Sequence, residues 1–275
     1  MSGTLYIVST PIGNLKDITL RSLEVLKLSK YILAESSVRS SKLLNEYNID
    51  KKIITFNKDN EKRKINSINR DLSEGANICL ISDAGTPSIS DPGFELIRSI
   101  ESPINVVPIP GPSSLTAALS ISQIPINKFL FLGFLSKKQK EREGQLLQIK
   151  DMLLPAVVFE SKHRLISLLK NIVYILGPNT KVSIMKELTK LHEETFYDSA
   201  SSLLKKFNGK SLNGEITMII GVPKYENIVM SKLDDKILEL SKKHSASEIV
   251  NIIRLFNDFN KKDLYKYVLK IRQDG

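Results

Sequence analysis

Short apolar segments and amphipathic segments alternate along the first half of the chain, and this alternation restricts the fold more than any other feature. The helical pattern is clearest over Thr19–Ser29, where Leu20, Leu23 and Leu26 fall on one face and Asp17 is the predicted N-cap. The apolar runs predict strands at Leu5–Ser9, Tyr31–Ala34, Ile53–Phe56, Asn77–Ser82 and Val106–Ile109. A strand–helix–strand order of this kind predicts an α/β fold with a mostly parallel sheet covered by helices.

The rest of the chain predicts two further parts. A boundary near Ile124-Pro125 makes residues 1–124 one α/β domain and residues 125–228 a second. The strands predicted for the second domain are Phe129–Phe134, Ala156–Phe159, Val182–Met185 and Ile216–Ile220. Residues 229–275 follow a helical pattern throughout, so we expect a small helical subdomain at the C-terminus.

Cysteine content and hydropathy favour a cytoplasmic protein. The single cysteine, Cys79, cannot form an internal disulfide, which favours a reducing compartment. There is no run of 18 apolar residues, so no membrane-spanning helix is expected. The run Leu5-Tyr6-Ile7-Val8 is interpreted as a strand and not as part of a signal peptide.

The excess positive charge is concentrated in the second half of the chain. Residues 1–120 carry 14 basic and 13 acidic side chains, whereas residues 121–275 carry 26 basic and 17 acidic side chains. A basic half joined to a nearly neutral half suggests a polyanionic partner such as nucleic acid. A solvated lysine-rich surface is the alternative interpretation.

Three loops rich in glycine and proline each follow a predicted strand of the first domain, at residues 10–14, 83–93 and 108–114. Ligands of open α/β sheets bind at the carboxyl ends of strands, so the loops favour a site for a nucleoside-like ligand over three simple turns. Other sites are excluded by their missing residues. There is no G-x-G-x-x-G, no complete Walker A motif, and no G-x-S-x-G around Ser113 and Ser114. The three histidines lack metal-ligand spacing, so no metal is expected.

Four segments together carry a resemblance to a known family: Thr10–Thr19, Ser82–Gly93, Pro110–Ser113 and Glu187–Glu194. They are similar to the small-subunit ribosomal RNA methyltransferase I family of the tetrapyrrole-methylase (class III) superfamily. The resemblance implies two α/β domains with S-adenosylmethionine bound in the cleft between them, usually in a homodimer. It also implies 2′-O-methylation of a cytidine ribose in the decoding region of 16S ribosomal RNA, within the small subunit.

The resemblance also assigns cofactor contacts. Those in the first domain are Pro11, Ala84, Gly85, Thr86, Ile89, Ser113 and Ser114, and those in the second are Phe159, Glu160 and Leu188. Two segments depart from the family on the presumed RNA-facing side. Ala34–Val38 stands where the family usually has Ala-Glu-Asp-Thr-Arg, with Arg39 next to it, and Asn57–Glu61 stands where it usually has His-Glu-His-Asn-Glu.

A ribose hydroxyl is a poor nucleophile, so methyl transfer to it needs a base or a polarising group. Charged residues at predicted strand exits are candidates: Glu35, Glu160, Lys186 and Glu187, of which Glu35 and Glu187 are preferred. Candidate RNA contacts are Lys137, Lys138, Lys140, Arg142, Arg164 and Lys190, with Lys242, Lys243, Lys261 and Lys262 in the tail. Two alternatives remain: a superfamily methylase acting on a small molecule such as a tetrapyrrole, and a homologue that binds RNA without catalysis.

Overall fold

The computed structural model describes residues 2–210, 214–223, 233–256 and 259–274. It divides into two compact units, Met1–Pro223 and Lys224–Gly275. The first unit contains two five-stranded sheets with helices packed on them, and the second is helical. The predicted α/β class is therefore confirmed, and the C-terminal residues form helices as expected.

The first sheet is entirely parallel, with strand order β3-β2-β4-β1-β5. Its strands are β1 (Thr4–Val8), β2 (Tyr31–Ala34), β3 (Ile53–Thr55), β4 (Ile78–Ile81) and β5 (Asn105–Ile109). Its helices are α1 (Leu20–Leu28), α2 (Ser37–Glu46), α3 (Glu61–Ser73), α4 (Phe94–Arg98) and α5 (Ser114–Ser120). Successive residues of β4 enter two different cores, since Leu80 packs with Phe56 and Leu96 while Cys79 packs with Leu26. Helices on both faces thus bury the central strands β2 and β4, as their continuous apolar runs require, whereas the edge strand β5 is largely exposed.

The N-cap of α1 is Thr19, so the prediction of Asp17 was wrong. Thr19 has extended backbone, and its hydroxyl accepts a hydrogen bond from the backbone N–H of Ser22 at 3.1 Å. Asp17 lies two residues earlier, in a 3₁₀ turn over Leu15–Asp17. An N-cap must directly precede the first helical residue to reach the free N–H groups, and Thr19 does.

The second sheet is mixed, with strand order β6-β7-β10-β8-β9. Its strands are β6 (Leu130–Phe134), β7 (Ala156–Ser161), β8 (Lys181–Lys186), β9 (Glu194–Ser199) and β10 (Glu215–Ile220). Only β6 and β7 are parallel, and the other neighbours run antiparallel. Helices α6 (Gln139–Met152), α7 (Leu165–Leu176) and α8 (Ala200–Phe207) cover one face. Strand β9 was not predicted from the sequence; it lies at the edge of the sheet and is largely exposed.

The two sheets contact each other through a shared apolar cluster. Ile12 and Ala118 from the first sheet region pack with Val157, Met185 and Ile219 from the second. The predicted boundary at residue 124 falls between the two sheets, while the compact unit Met1–Pro223 contains both of them, so that boundary stays a prediction. The predicted boundary at residue 228 lies outside the described residues.

The C-terminal unit has its own core. Helices α9 (Asp234–Ser241), α10 (Ala246–Phe256) and α11 (Lys261–Asp274) bury Ile237, Ile249, Leu264 and Val268 against one another. In the part of the chain that the structure describes, no helix is both long and apolar enough to cross a membrane.

Candidate active site

A cavity of about 640 Å³ lies between the two sheets, within the range of small-molecule sites. Its first wall comes from loops after β1, β2, β4 and β5, and includes Ile12, Glu35, Arg39, Asp83, Ala84, Asp91 and Ser114. Its second wall comes from the other sheet, and includes Phe134, Phe159, Glu160, Lys162, His163, Met185, Glu187, Leu188, Lys190 and Thr217. Because the strands of the first sheet are parallel, their exits meet at one edge and bring these distant segments together.

The three loops singled out in the sequence are joined to one another. Thr10 and Gly85 exchange two backbone hydrogen bonds, at 2.8 and 2.9 Å. The hydroxyl of Thr86 lies 2.9 Å from that of Ser9 and donates to the carbonyl of Pro112 at 3.4 Å. Gly85 has a φ of +82°, a conformation that favours glycine. The loops after β1, β4 and β5 therefore form one connected surface beside the cavity.

The predicted cofactor contacts divide into two groups by position. Ala84, Ser114, Phe159, Glu160 and Leu188 line the cavity directly. The others, Pro11, Gly85, Thr86, Ile89 and Ser113, belong to the same loops without lining it. The structure thus brings the first group to one cleft and places the second group in the loops beside it, and the contact of either group with a cofactor stays a prediction.

Asp83 links the exits of β2 and β4. Its carboxylate accepts a hydrogen bond from the backbone N–H of Ser36 at 3.0 Å and from Arg39 Nη1 at 3.1 Å. Arg39 reaches it because α2 begins at Ser37, with Ser36 as N-cap. Ser36 belongs to the segment that departs from the family pattern and Arg39 directly follows it, so an arginine still reaches the cavity wall.

Glu35 and Asp91 complete an acidic group on the same wall. Burial raises the pKa of Glu35, the charge of Asp83 raises it further, and Lys58 and Arg39 partly offset both effects. Burial, and then the charge of Glu35, raises the pKa of Asp91 to about 6. A carboxylate with a pKa near neutrality can accept a proton from a substrate hydroxyl. Asp91 was predicted only as part of a cofactor loop, although its carboxylate and its place in that loop are visible in the sequence.

Glu187 is held in a fixed position on the opposite wall. It has a φ of +55°, and its Oε1 accepts hydrogen bonds from Lys190 Nζ and the backbone N–H of Glu215, both at 2.9 Å. Burial acts to raise the pKa of Glu187, but these two donors outweigh it and lower the pKa below its ordinary value. Lys190 also contacts Glu215 Oε2 at 3.0 Å. The carboxylate of Glu187 therefore serves a structural ion pair and is a weak base.

Glu160 is a buried carboxylate, and only one of its two oxygens accepts a hydrogen bond from the described residues. Oε1 accepts a hydrogen bond from the backbone N–H of Ser161 at 2.8 Å and lies 3.3 Å from Arg164 Nε. Oε2 is buried and has no hydrogen-bond partner among the described residues. Burial raises the pKa of Glu160, although Ser161 and Arg164 favour its ionised form. Since buried acceptors are normally satisfied, Oε2 indicates a position where a ligand donor would bind.

Several predicted RNA contacts serve the protein itself. Arg142 is buried, and it donates from Nε to Asn171 at 2.8 Å and from Nη2 to Ser167 at 3.2 Å. Its burial places it away from the surface where a phosphate would bind. Arg164 donates from Nη2 to the carbonyl of Leu135 at 2.7 Å, and Lys190 lies in the ion pairs described above. Lys186, a candidate for polarising the hydroxyl, is paired with Glu194.

The remaining candidates are exposed. Lys137 and Lys140 lie at the start of α6, and Lys138 beside them pairs with Glu141 at 3.0 Å. Lys242, Lys243, Lys261 and Lys262 are exposed on the C-terminal unit. These positions are open to a polyanion, and their contact with RNA stays a prediction.

Comparison with known proteins identifies relatives over nearly the whole chain. The family described as Tetrapyrrole (Corrin/Porphyrin) Methylases matches residues 4–204. A protein of Buchnera aphidicola subsp. Acyrthosiphon pisum, named ribosomal RNA small subunit methyltransferase I, is 40% identical and covers 98% of this chain and 97% of its own. The protein of that name from Escherichia coli O157:H7 is 38% identical, over 98% of this chain and 95% of its own.

A shorter relative carries the same name. The Thermotoga maritima protein is 43% identical over 219 residues, which are 79% of this chain but 98% of its own. Among solved structures, diphthine synthase has a TM-score of 0.63 at 15% identity, covering 80% of this chain and 90% of that one. A cobalt precorrin-4 methyltransferase has a TM-score of 0.59 at 15% identity, covering 79% and 94%. At these identities the two structures show a common fold alone.

Proposed function

The chain belongs to the tetrapyrrole methylase family and, within it, to the ribosomal RNA small subunit methyltransferase I family, and on this basis we propose its reaction and substrate. It is an S-adenosylmethionine-dependent ribosomal RNA methyltransferase. We propose that the acceptor is the 2′-oxygen of a cytidine ribose in the decoding region of 16S ribosomal RNA. The observation that carries this proposal is the similarity to same-named proteins over 98% of the chain.

The cleft suits S-adenosylmethionine in size and in donor–acceptor character. The joined loops after β1, β4 and β5 would hold it through Ala84 and Ser114, and Phe159 and Leu188 would hold it from the second wall. The unused Oε2 of Glu160 would accept a hydrogen bond from one of its amino or hydroxyl groups. When bound, the cofactor would supply an electrophilic methyl group on a positively charged sulfur, and this sulfur would be the leaving group.

Glu35 is the residue that would remove the proton of the acceptor hydroxyl. It lies on the cavity wall at the exit of β2, and its side chain has no ion pair within the described ranges. Asp83 beside it is neutralised by Arg39, so Glu35 and Asp91 are the carboxylates of this wall left to act as bases. Glu187, the other preferred candidate, is occupied by Lys190 and Glu215.

RNA would approach through electrostatic attraction to the basic second half. The proposed phosphate contacts are the exposed Lys137 just before α6, the exposed Lys140 on α6, and the lysines of the C-terminal unit. Such contacts release counterions, so binding should weaken with salt. A cytoplasmic location, where small ribosomal subunits are found, and a homodimer complete the proposal.

The proposal is tested with labelled S-adenosylmethionine and small ribosomal subunits from a strain that lacks this modification. Label on a cytidine 2′-oxygen, located by nuclease digestion and mass spectrometry, is the expected result. Label on a base, or none on RNA despite cofactor binding, would contradict it. Transfer to a tetrapyrrole or another small acceptor would favour the small-molecule alternative, and the absence of any transfer would favour the non-catalytic one.

A further inference from the structure

Strand β6 contains a bulge that changes which face its last residues present. Phe131 is in register with Val157, but the next pairs are Gly133 with Val158 and Phe134 with Phe159, so Leu132 is an extra residue. Gly133 takes a φ of +57° there, and a Cβ at this position would lie 3.0 Å from Ser90 Oγ. Bulges of this kind redirect side chains and are common beside active sites.

The bulge directs Phe134 into the cleft. In a regular strand Phe131 and Phe134 would face opposite sides, because side chains alternate. Here both rings make edge contacts with Phe159, at centroid distances of 5.3 and 5.6 Å. Leu135 then returns to the helix-covered core, where it is buried. The bulge thus places two aromatic rings against Phe159.

Phe134 stays open to solvent although it lines the cavity. Its exposed fraction is 58%, and of the large exposed apolar side chains within the described ranges it alone lines the cavity. Its backbone is firmly placed, because Arg164 Nη2 donates to the carbonyls of Leu135 and Ser136 that follow it. The bulge in β6 leaves the Phe134 ring exposed at the cavity. An exposed aromatic ring in this position can stack on a planar group of a ligand.

We propose that Phe134 is the platform on which the base of the target nucleotide stacks while its ribose is methylated. This inference rests on the proposed RNA acceptor. To bring a 2′-oxygen into a cleft, the nucleotide must leave its neighbours, and bases presented in this way are stacked on aromatic side chains. Phe134 provides such a surface at the cleft.

The charges of the two walls agree with this placement. On the first wall three carboxylates, Glu35, Asp83 and Asp91, face one cation, Arg39. On the second wall, with Phe134, the carboxylates of Glu160, Glu187 and Glu215 are nearly balanced by Lys162 and Lys190. A phosphodiester is therefore repelled more strongly by the first wall than by the second, which favours passage of the RNA backbone on the Phe134 side. The ribose then points toward the acidic wall, where the proposed base Glu35 lies.

The test uses the full-length protein and compares Phe134→Ala, Phe134→Leu and Phe134→Trp. Stacking on an aromatic side chain changes affinity by about 5- to 100-fold. We expect kcat/KM for unmodified small subunits to fall by about that factor in the alanine and leucine variants. We expect the tryptophan variant to restore it, and the dissociation constant for S-adenosylmethionine to stay within about twofold in all three. Tyr174→Ala removes a ring that is 83% exposed on α7 outside the cavity, and should change neither quantity.

A fluorescence measurement gives a second readout. The chain has no tryptophan, so Phe134→Trp introduces a single tryptophan emitter. Its emission should be quenched when 16S ribosomal RNA binds in the presence of S-adenosylhomocysteine, whereas that of Tyr174→Trp should not. Wild-type rates in the alanine or leucine variant, or a parallel loss of cofactor affinity, would overturn the inference. If the wild-type protein transfers no label to RNA, the proposed function is contradicted. If the wild-type protein labels RNA and the Phe134 variants label it at the same rate, only the stacking inference is contradicted.

Discussion

Arg39 on α2 donates from Nη1 to Asp83 Oδ2 at 3.1 Å, joining the exits of two neighbouring strands. The arginine stands one position later than in the family pattern, yet it still faces the cavity. Its charge neutralises one of three carboxylates on this wall. The other two, Glu35 and Asp91, therefore determine how the wall responds to pH and to substitution.

Glu35→Gln should abolish most methyl transfer without weakening cofactor binding. Loss of a general base lowers rates by about 10²- to 10⁴-fold. Single-turnover methylation of small subunits and calorimetric cofactor binding would measure both effects, with Glu24→Gln on the exposed surface of α1 as the matched control. Glu187→Gln should be closer to the wild-type rate. If Glu187→Gln is the slower variant, the assignment of the base is reversed.

Asp91 should make the folded state less stable as pH rises from about 4 to 6. Its pKa is raised from 3.8 to about 6 by burial and by Glu35, so the folded state binds a proton that the unfolded state releases. The contribution is present below pH 3.8 and is lost as pH rises through about 6. Asp91→Asn should therefore stabilise the protein above pH 6, by about 1–2 kcal/mol after allowance for solvent screening, and have little effect at pH 4. Urea denaturation at pH 4 and above pH 6 measures the free energy of unfolding of the variant and of the wild type. An equal difference between them at the two pH values would contradict the prediction.

Lys190→Met should destabilise the protein at neutral pH, and less so as the pH falls below 4.5. Burial alone would raise the pKa of Glu187, but Lys190 and the Glu215 N–H lower it below 4.5, so the pair contributes stability above that pH and loses it as pH falls. We expect about 1 kcal/mol or less at pH 7, because both groups are partly solvated. Thermal melts at pH 7 and pH 4 compare this variant with Lys170→Met, an exposed lysine of α7. Identical melts of the two variants at pH 7 would contradict the expectation.

Gly13→Ala should weaken cofactor binding. A Cβ there would lie 2.4 Å from Lys190 Cγ and 2.8 Å from Thr189 Oγ1, so the loop after β1 must move away from the second wall. Gly144→Ala in α6 is the control, since a Cβ at that position meets nothing within 4 Å and should stabilise the helix by about 0.5–1 kcal/mol. Calorimetry with S-adenosylmethionine compares the two variants. An unchanged affinity of Gly13→Ala for S-adenosylmethionine would contradict the prediction and show that the loop after β1 can move without weakening cofactor binding.

Removal of residues 224–275 should leave a folded protein that binds S-adenosylmethionine. The unit Met1–Pro223 contains both sheets and the cavity, and the Thermotoga maritima relative aligns over 219 residues that are 98% of its length. Without the exposed lysines of the tail, the slope of RNA affinity against salt should fall by about 0.7 to 0.9 for every phosphate that is no longer neutralised. Filter binding at several salt concentrations measures the slope. An unchanged slope would show that the tail makes no contacts with RNA phosphates.

The sequence predicted the buried strands well because their apolar runs are set by burial on both faces, as in Tyr31–Ala34 and Ile78–Ile81. It missed β9, whose residues Glu194–Ser199 lie at an edge and show no such run. The ion pair of Arg39 with Asp83 joins residues 44 positions apart, and single-sequence patterns carry no information on such contacts. The bulge at Leu132 had one visible signal, since Gly133 stands inside an apolar run and a glycine within a strand suggests a bulge.

The two reciprocal hydrogen bonds between Thr10 and Gly85 make the loops after β1 and β4 a single rigid piece. The conformational entropy of these loops is therefore lost when the protein folds, and not when a ligand binds. A preorganised surface of this kind can keep its affinity while the segments after β2 and β3 diverge.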